Sequence, residues 1–189
     1  MENARHSHFS LGSISRAAVA IALIALSCGV QAAAGIKSER QLTAIITRTP
    51  APQLVAEGQQ LKQAEKAAAQ MPGAIAYLGI GESMEPLYAP NTAVIVMPIS
   101  YDSIKKGMTV VYVKSNGRRV AHSVIGETTG GYLVQGVNND EADAEVVNEN
   151  NLIGVVVQAY ATSDTAFRTD LTQQLTAKGK ISAAVKHSS

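Results

Sequence analysis

The chain has 189 residues, with 16 lysines and arginines against 15 aspartates and glutamates, four histidines, one cysteine and no tryptophan. That near-neutral balance offers no basic patch to track a phosphate backbone, which argues against nucleic-acid binding. The histidines and the cysteine form no zinc-type cluster, and Asp140, Glu141 and Asp143 lack the glycine and closing glutamate of a calcium loop.

Residues 1–34 read as a secretory leader. Arg5 and Arg16 give a basic start, Ala17 to Leu26 form an apolar run, and Val30-Gln31-Ala32 or Ala32-Ala33-Ala34 offers a small-residue cleavage site. Cleavage there starts the mature chain near Ala33 or Gly35, removes Cys28, and leaves 14 basic and 14 acidic residues. The expected location is secreted or periplasmic. Two rivals stand beside it: an uncleaved anchor, because Ala17 to Ile36 approaches membrane-spanning length, and a lipoprotein attached through Cys28.

Residues 35–73 read as a linker followed by one helix. Gly35 to Pro52 is mixed in character and ends in the stiff Thr49-Pro50-Ala51-Pro52. From Leu54 to Met71 a narrow apolar stripe of Leu54, Leu61 and Ala68 predicts an amphipathic helix that docks on the domain or lies near a membrane. Pro72-Gly73 closes it.

Residues 74–160 change to short β-rich runs divided by turn residues. The candidate strands are Ala74 to Ile80, Ala93 to Met97, Met108 to Lys114, Arg118 to Ile125, Tyr132 to Gly136 and Leu152 to Tyr160. Asn116-Gly117 predicts a hairpin between the third and fourth, and Thr129-Gly130-Gly131 a turn before the fifth. The fold class expected is all-β, a partly open barrel or coiled sheet preceded by one N-terminal helix. Residues 161–189 form a polar tail in which Thr169 to Ala177 is a candidate short helix.

Chemistry concentrates in three places. Ser83 stands in Ser83-Met84-Glu85-Pro86, His122 in Val120-Ala121-His122-Ser123-Val124-Ile125-Gly126, and Asp143 ends Gly136-Val137-Asn138-Asn139-Asp140-Glu141-Ala142-Asp143. Each alone suits a structural role: Ser83 a turn or helix cap, His122 a packed strand residue, the acids a solvated loop. In this order they supply a nucleophile, a base that takes its proton, and an acid that orients the base. A period of two puts His122 on one face with Val120 and Val124, and Ala121, Ser123 and Ile125 on the other.

These three segments, over about residues 75 to 160, resemble the signal peptidase family of serine peptidases, in its archaeal and eukaryotic-type branch that uses a histidine base. The resemblance implies a signal-peptidase-like fold, with Ser83 as nucleophile, His122 as general base and Asp143 as acid. It implies cleavage of an extended peptide with small residues, often alanine, one and three places before the cut, and no cofactor. A strand edge such as Ala74 to Ile80 could bind that peptide by main-chain pairing. The chain departs from the family pattern at Val137 and Ala142, where the motif carries acids, at Ser123 in place of an arginine, and at Asn91-Thr92 and Gly107-Met108. Asp140 is an alternative acid. A catalytically silent domain of the same fold, binding an extended peptide or a cell-envelope partner, is the second reading.

Overall fold

The computed structural model describes residues 38–162. Two helices, α1 (Glu39–Arg48) and α2 (Gln60–Ala68), accompany seven strands: β1 (Pro52–Val55), β2 (Ile75–Leu78), β3 (Ala93–Met97), β4 (Thr109–Val113), β5 (Arg119–Thr128), β6 (Gly131–Gln135) and β7 (Leu152–Thr162). The strands form one sheet in the order β2-β3-β7-β4-β5-β6, with antiparallel neighbours throughout. The one parallel pairing joins β1 to the far end of β7, where Pro52 faces Ala159 and Val55 faces Thr162.

A tight hairpin sets the register at the centre. Gly117 takes a φ of +79°, which only glycine adopts without strain, and Lys114 N–H donates to Arg118 O at 2.9 Å. Val110 then lies opposite His122, and Tyr112 opposite Val120. Alternation does the rest: Val110, Tyr112, Val120 and Val124 pack into one apolar cluster with Tyr132 and Val134, while Val111, Ala121 and Ile125 face another built around Leu87, Tyr88 and Val94. His122 lies on the first side, as the period of two predicts.

The six expected strands all form, with three ends moved by two or three residues. β5 runs on past Ile125 to Thr128, and β7 runs to Thr162, where Ala161 is buried. β2 stops at Leu78 rather than Ile80.

The segment before residue 74 differs more. Residues 35–52 are expected as a linker, yet 39–48 form α1, with the Ser38 hydroxyl accepting from Gln41 N–H at its start. Leu42 and Ile45 enter the core beside Ile125 and Val111. Their three-residue spacing is short and sits among Thr43, Thr47 and Arg48, so the stripe is weak in sequence. The single long helix of 54–71 is also corrected to a strand and a shorter helix. Leu54 belongs to β1 and is 60% exposed, and the face of α2 that packs on β3 and β7 carries Ala64 and Ala68. The parallel partner of β1 lies about a hundred residues away, so nothing local marks the strand.

The proposed leader, its cysteine, and the tail helix at 169–177 lie outside the described residues. Among the described residues no helix is long and apolar enough to cross a membrane.

Because Ile45 is 1% exposed, Ile45→Ala should cost about 2–5 kcal/mol of unfolding free energy, as large-to-small core changes do. Urea denaturation measures it, and a change under about 0.5 kcal/mol, typical of surface positions, would mean that α1 is not part of the folded unit.

Candidate active site

Ser83 follows the exit of β2, in a compact turn anchored by apolar side chains. Glu85 N–H donates to Glu82 O, and Leu87 and Tyr88 N–H both donate to Met84 O. Met84, Leu87 and Tyr88 are buried, and the Tyr88 hydroxyl donates to Pro50 O at 2.7 Å. Across from it, Asn138 holds the same turn with two bonds, its N–H donating to Ser83 O at 2.8 Å and its Nδ2 to Glu82 O at 3.1 Å. The nucleophile candidate therefore stands on a turn fixed from both sides.

His122 reaches this turn from β5. Its Nε2 lies 3.1 Å from Ser83 Oγ, and its Nδ1 lies 2.9 Å from Asp143 Oδ2. The three residues named from the sequence are thus brought into one hydrogen-bonded chain. The His122 and Asp143 side chains are only 6% and 7% exposed, so water contributes little to their orientation.

Asp143 comes from the long connection after β6, which doubles back so that Asp143 N–H donates to Val134 O at 2.9 Å. The connection turns at Gly136, where a Cβ would stand 2.6 Å from Ser83 O and 2.9 Å from His122 Nε2. Any side chain there would wedge the serine turn from the imidazole. Val137 and Ala142, the two places where the family motif carries acids, instead pack on the apolar cluster below. Asp140 and Glu141 are exposed, and Asp143 is the carboxylate on His122.

Two residues that the sequence reading passes over complete the acid's surroundings. The Tyr112 hydroxyl donates to Asp143 Oδ2, and Lys114 Nζ lies 3.6 Å from the same oxygen. The signal for them exists: residues 110 and 112 of β4, and 114 just beyond its end, alternate onto the face that the hairpin register sets beside His122. Burial, and next the bond to Asp143, push the Tyr112 phenol up, which keeps it a donor. Burial alone would raise the Asp143 carboxyl, but the hydrogen bonds from His122 and Tyr112 outweigh it and hold the group below the ordinary aspartate range. Asp143 is then a carboxylate at neutral pH.

The chemical capacity follows from that charge. An ionised Asp143 accepts a hydrogen bond from Nδ1–H, which leaves Nε2 of the neutral ring to accept one from Ser83 Oγ–H. Among the described residues, no group of three or more histidine, cysteine, aspartate or glutamate side chains is placed to hold a metal ion. Beside Ser83 a groove of about 390 Å³ runs between the exit of β2 and the start of β5.

No protein-family model matches this sequence, and no curated protein matches it.

The depressed Asp143 carboxyl makes a prediction about stability. A group whose folded pKa lies below its unfolded value adds stability above the unfolded pKa, near 3.8 for aspartate, and loses it as pH falls through the folded value. The wild type should therefore lose Tm more steeply than Asp143→Asn below about pH 4. Thermal unfolding of both proteins from acid to neutral pH reads the difference, and parallel curves would mean the carboxylate is not stabilised by its donors.

Proposed function

We propose that this chain is an extracytoplasmic serine endopeptidase related to the signal peptidases, working by acyl transfer. The observation that carries the reading is the continuous chain Ser83 Oγ to His122 Nε2 at 3.1 Å and His122 Nδ1 to Asp143 Oδ2 at 2.9 Å. Three residues far apart in sequence lie within hydrogen-bonding reach of one another, which supports the roles their local motifs suggest. The mostly β architecture and the order Ser, His, Asp along the chain also suit a signal-peptidase-like fold.

In this mechanism Ser83 Oγ attacks the scissile carbonyl while His122 Nε2 takes its proton. Asp143 keeps the imidazole oriented and stabilises the cation that forms. His122 then gives the proton to the leaving amine, and water, activated by the same base, releases the acyl group from Ser83. Backbone N–H groups of the turn, that of Ser83 among them, would meet the developing oxyanion. Asp143 takes the acid role here although Val137 and Ala142 replace the family's other acids. Residues 1–37, which carry the proposed leader, lie outside the described residues, so export rests on the sequence alone.

The substrate expected is an extended peptide with small residues before the cut. Asp143→Asn should lower kcat/KM on an Ala-x-Ala peptide by about 10⁴, the loss seen when a triad acid is neutralised. Asp140→Asn should leave the rate near wild type. Ser83→Ala and His122→Ala should reduce it to background.

Because the imidazole accepts a proton only when neutral, kcat/KM should also fall towards acid pH with the slope of one proton. A larger loss from Asp140→Asn than from Asp143→Asn would reassign the acid. An intact chain that cuts no such peptide at any pH would leave a silent domain that binds an extended peptide or cell-envelope partner.

A further inference from the structure

The groove beside Ser83 has an uneven charge pattern. Its walls are largely apolar, with Leu78, Ile80 and Met84 on one side and Val111, Val120 and Ala121 on the other. Of the residues lining it, only Arg118 and Arg119 are charged. Both are exposed, and among the described residues neither guanidinium forms an ion pair. Arg119 holds its guanidinium 6.0 Å from the centre of the Tyr77 ring, on the opposite wall, a contact that draws the side chain toward β2. At the Ser83 end, the serine turn carries Glu82 and Glu85, of opposite sign to the arginines.

The backbone on both walls suits an extended guest. β2 ends the sheet path and pairs only with β3. On β5, residues 119–122 pair with β4 on one side, while pairing with β6 begins only at Ser123. Each wall thus has main-chain groups without a strand partner, and Ile80, at 82% exposure, leaves an apolar surface in water between them. Strand addition at such edges binds an extended peptide by main-chain hydrogen bonds and presents its side chains at regular spacing.

From these observations we infer that the groove takes peptides carrying acidic side chains a few residues before the scissile bond, on its N-terminal side. The inference rests on the peptidase reading for the placement of the cut and for the side, because that reading seats the small residues before the cut in this apolar groove. The distance follows from strand geometry: Arg119 precedes His122 by three residues, or about 10 Å at 3.3 Å per residue. An extended peptide with its carbonyl at Ser83 therefore brings its fourth and fifth residues before the cut to the two guanidinium groups. Glu82 and Glu85 disfavour acid next to the cut, so the pattern reads position as well as charge.

The test measures binding without turnover, using Ser83→Ala and fluorescent peptides that share an Ala-x-Ala core. The fourth and fifth residues before the cut are both Asp, both Ala or both Lys. At low salt the Asp peptide should bind about three- to ten-fold tighter than the Ala peptide, the scale of one or two exposed ion pairs, and the Lys peptide should bind most weakly. Adding R118E and R119E to that protein should reverse the order, R118K and R119K should keep it, and about 0.5 M salt should flatten it.

Equal affinities for the three peptides, or an Asp preference that survives R118E and R119E, would overturn the charge selection. Cleavage by the wild type separates the two readings. A protein that binds with this preference and cuts none of the peptides loses the peptidase reading alone; one that cuts all three at a single rate, with equal binding, loses the charge selection alone.

Discussion

A buried carboxylate organises this molecule. An unpaired charge taken out of water costs several kcal/mol, and the Asp143 side chain is nearly closed off from solvent. It stays ionised because His122 on β5 and Tyr112 on β4 both bond to it, with Lys114 close by. Those donors come from adjacent strands of one hairpin, and the carboxylate comes from a loop that returns to β6. The position of the loop, the register of the hairpin and the orientation of the imidazole are therefore a single constraint.

The same constraint explains where small and polar residues are tolerated near the site. Gly136 has no room for a side chain because the serine turn and the imidazole converge on it. Asn138, two residues on, uses both its backbone and its amide to hold the carbonyls of Glu82 and Ser83. The apolar residues between and beyond these, Val137 and Ala142, turn inward to the core. One short segment thus supplies close approach, a clamp, core packing and the acid.

The groove depends on the sheet's ends. β5 changes partner at Ser123, from β4 to β6, and its register shifts just beyond, between Val124 and Gly126. A shift of this kind bends a strand. With β2 ending the other side of the sheet, the stretch of β5 that lacks a β6 partner and the exit of β2 come to line one cleft, with Ser83 and the two arginines among its lining residues.

Much of this was legible in the residues themselves. Alternating apolar runs and the Asn116-Gly117 turn determine the strands and the central register, because side-chain direction in a strand has a fixed period and a hairpin turn fixes what lies opposite. Ser83, His122 and Asp143 stand out through their local motifs. By contrast, α1 and β1 are short and weakly patterned, and each is held by partners far along the chain: Ile125 and Val111 for Leu42 and Ile45, and β7 for β1. Only the tertiary structure decided that these segments belong to the fold, that Asp143 rather than Asp140 meets the imidazole, and that Tyr112 and Lys114 share its charge. The reason is physical: long-range pairing and the desolvation of a charge are properties of what surrounds a residue, and local sequence does not encode those surroundings.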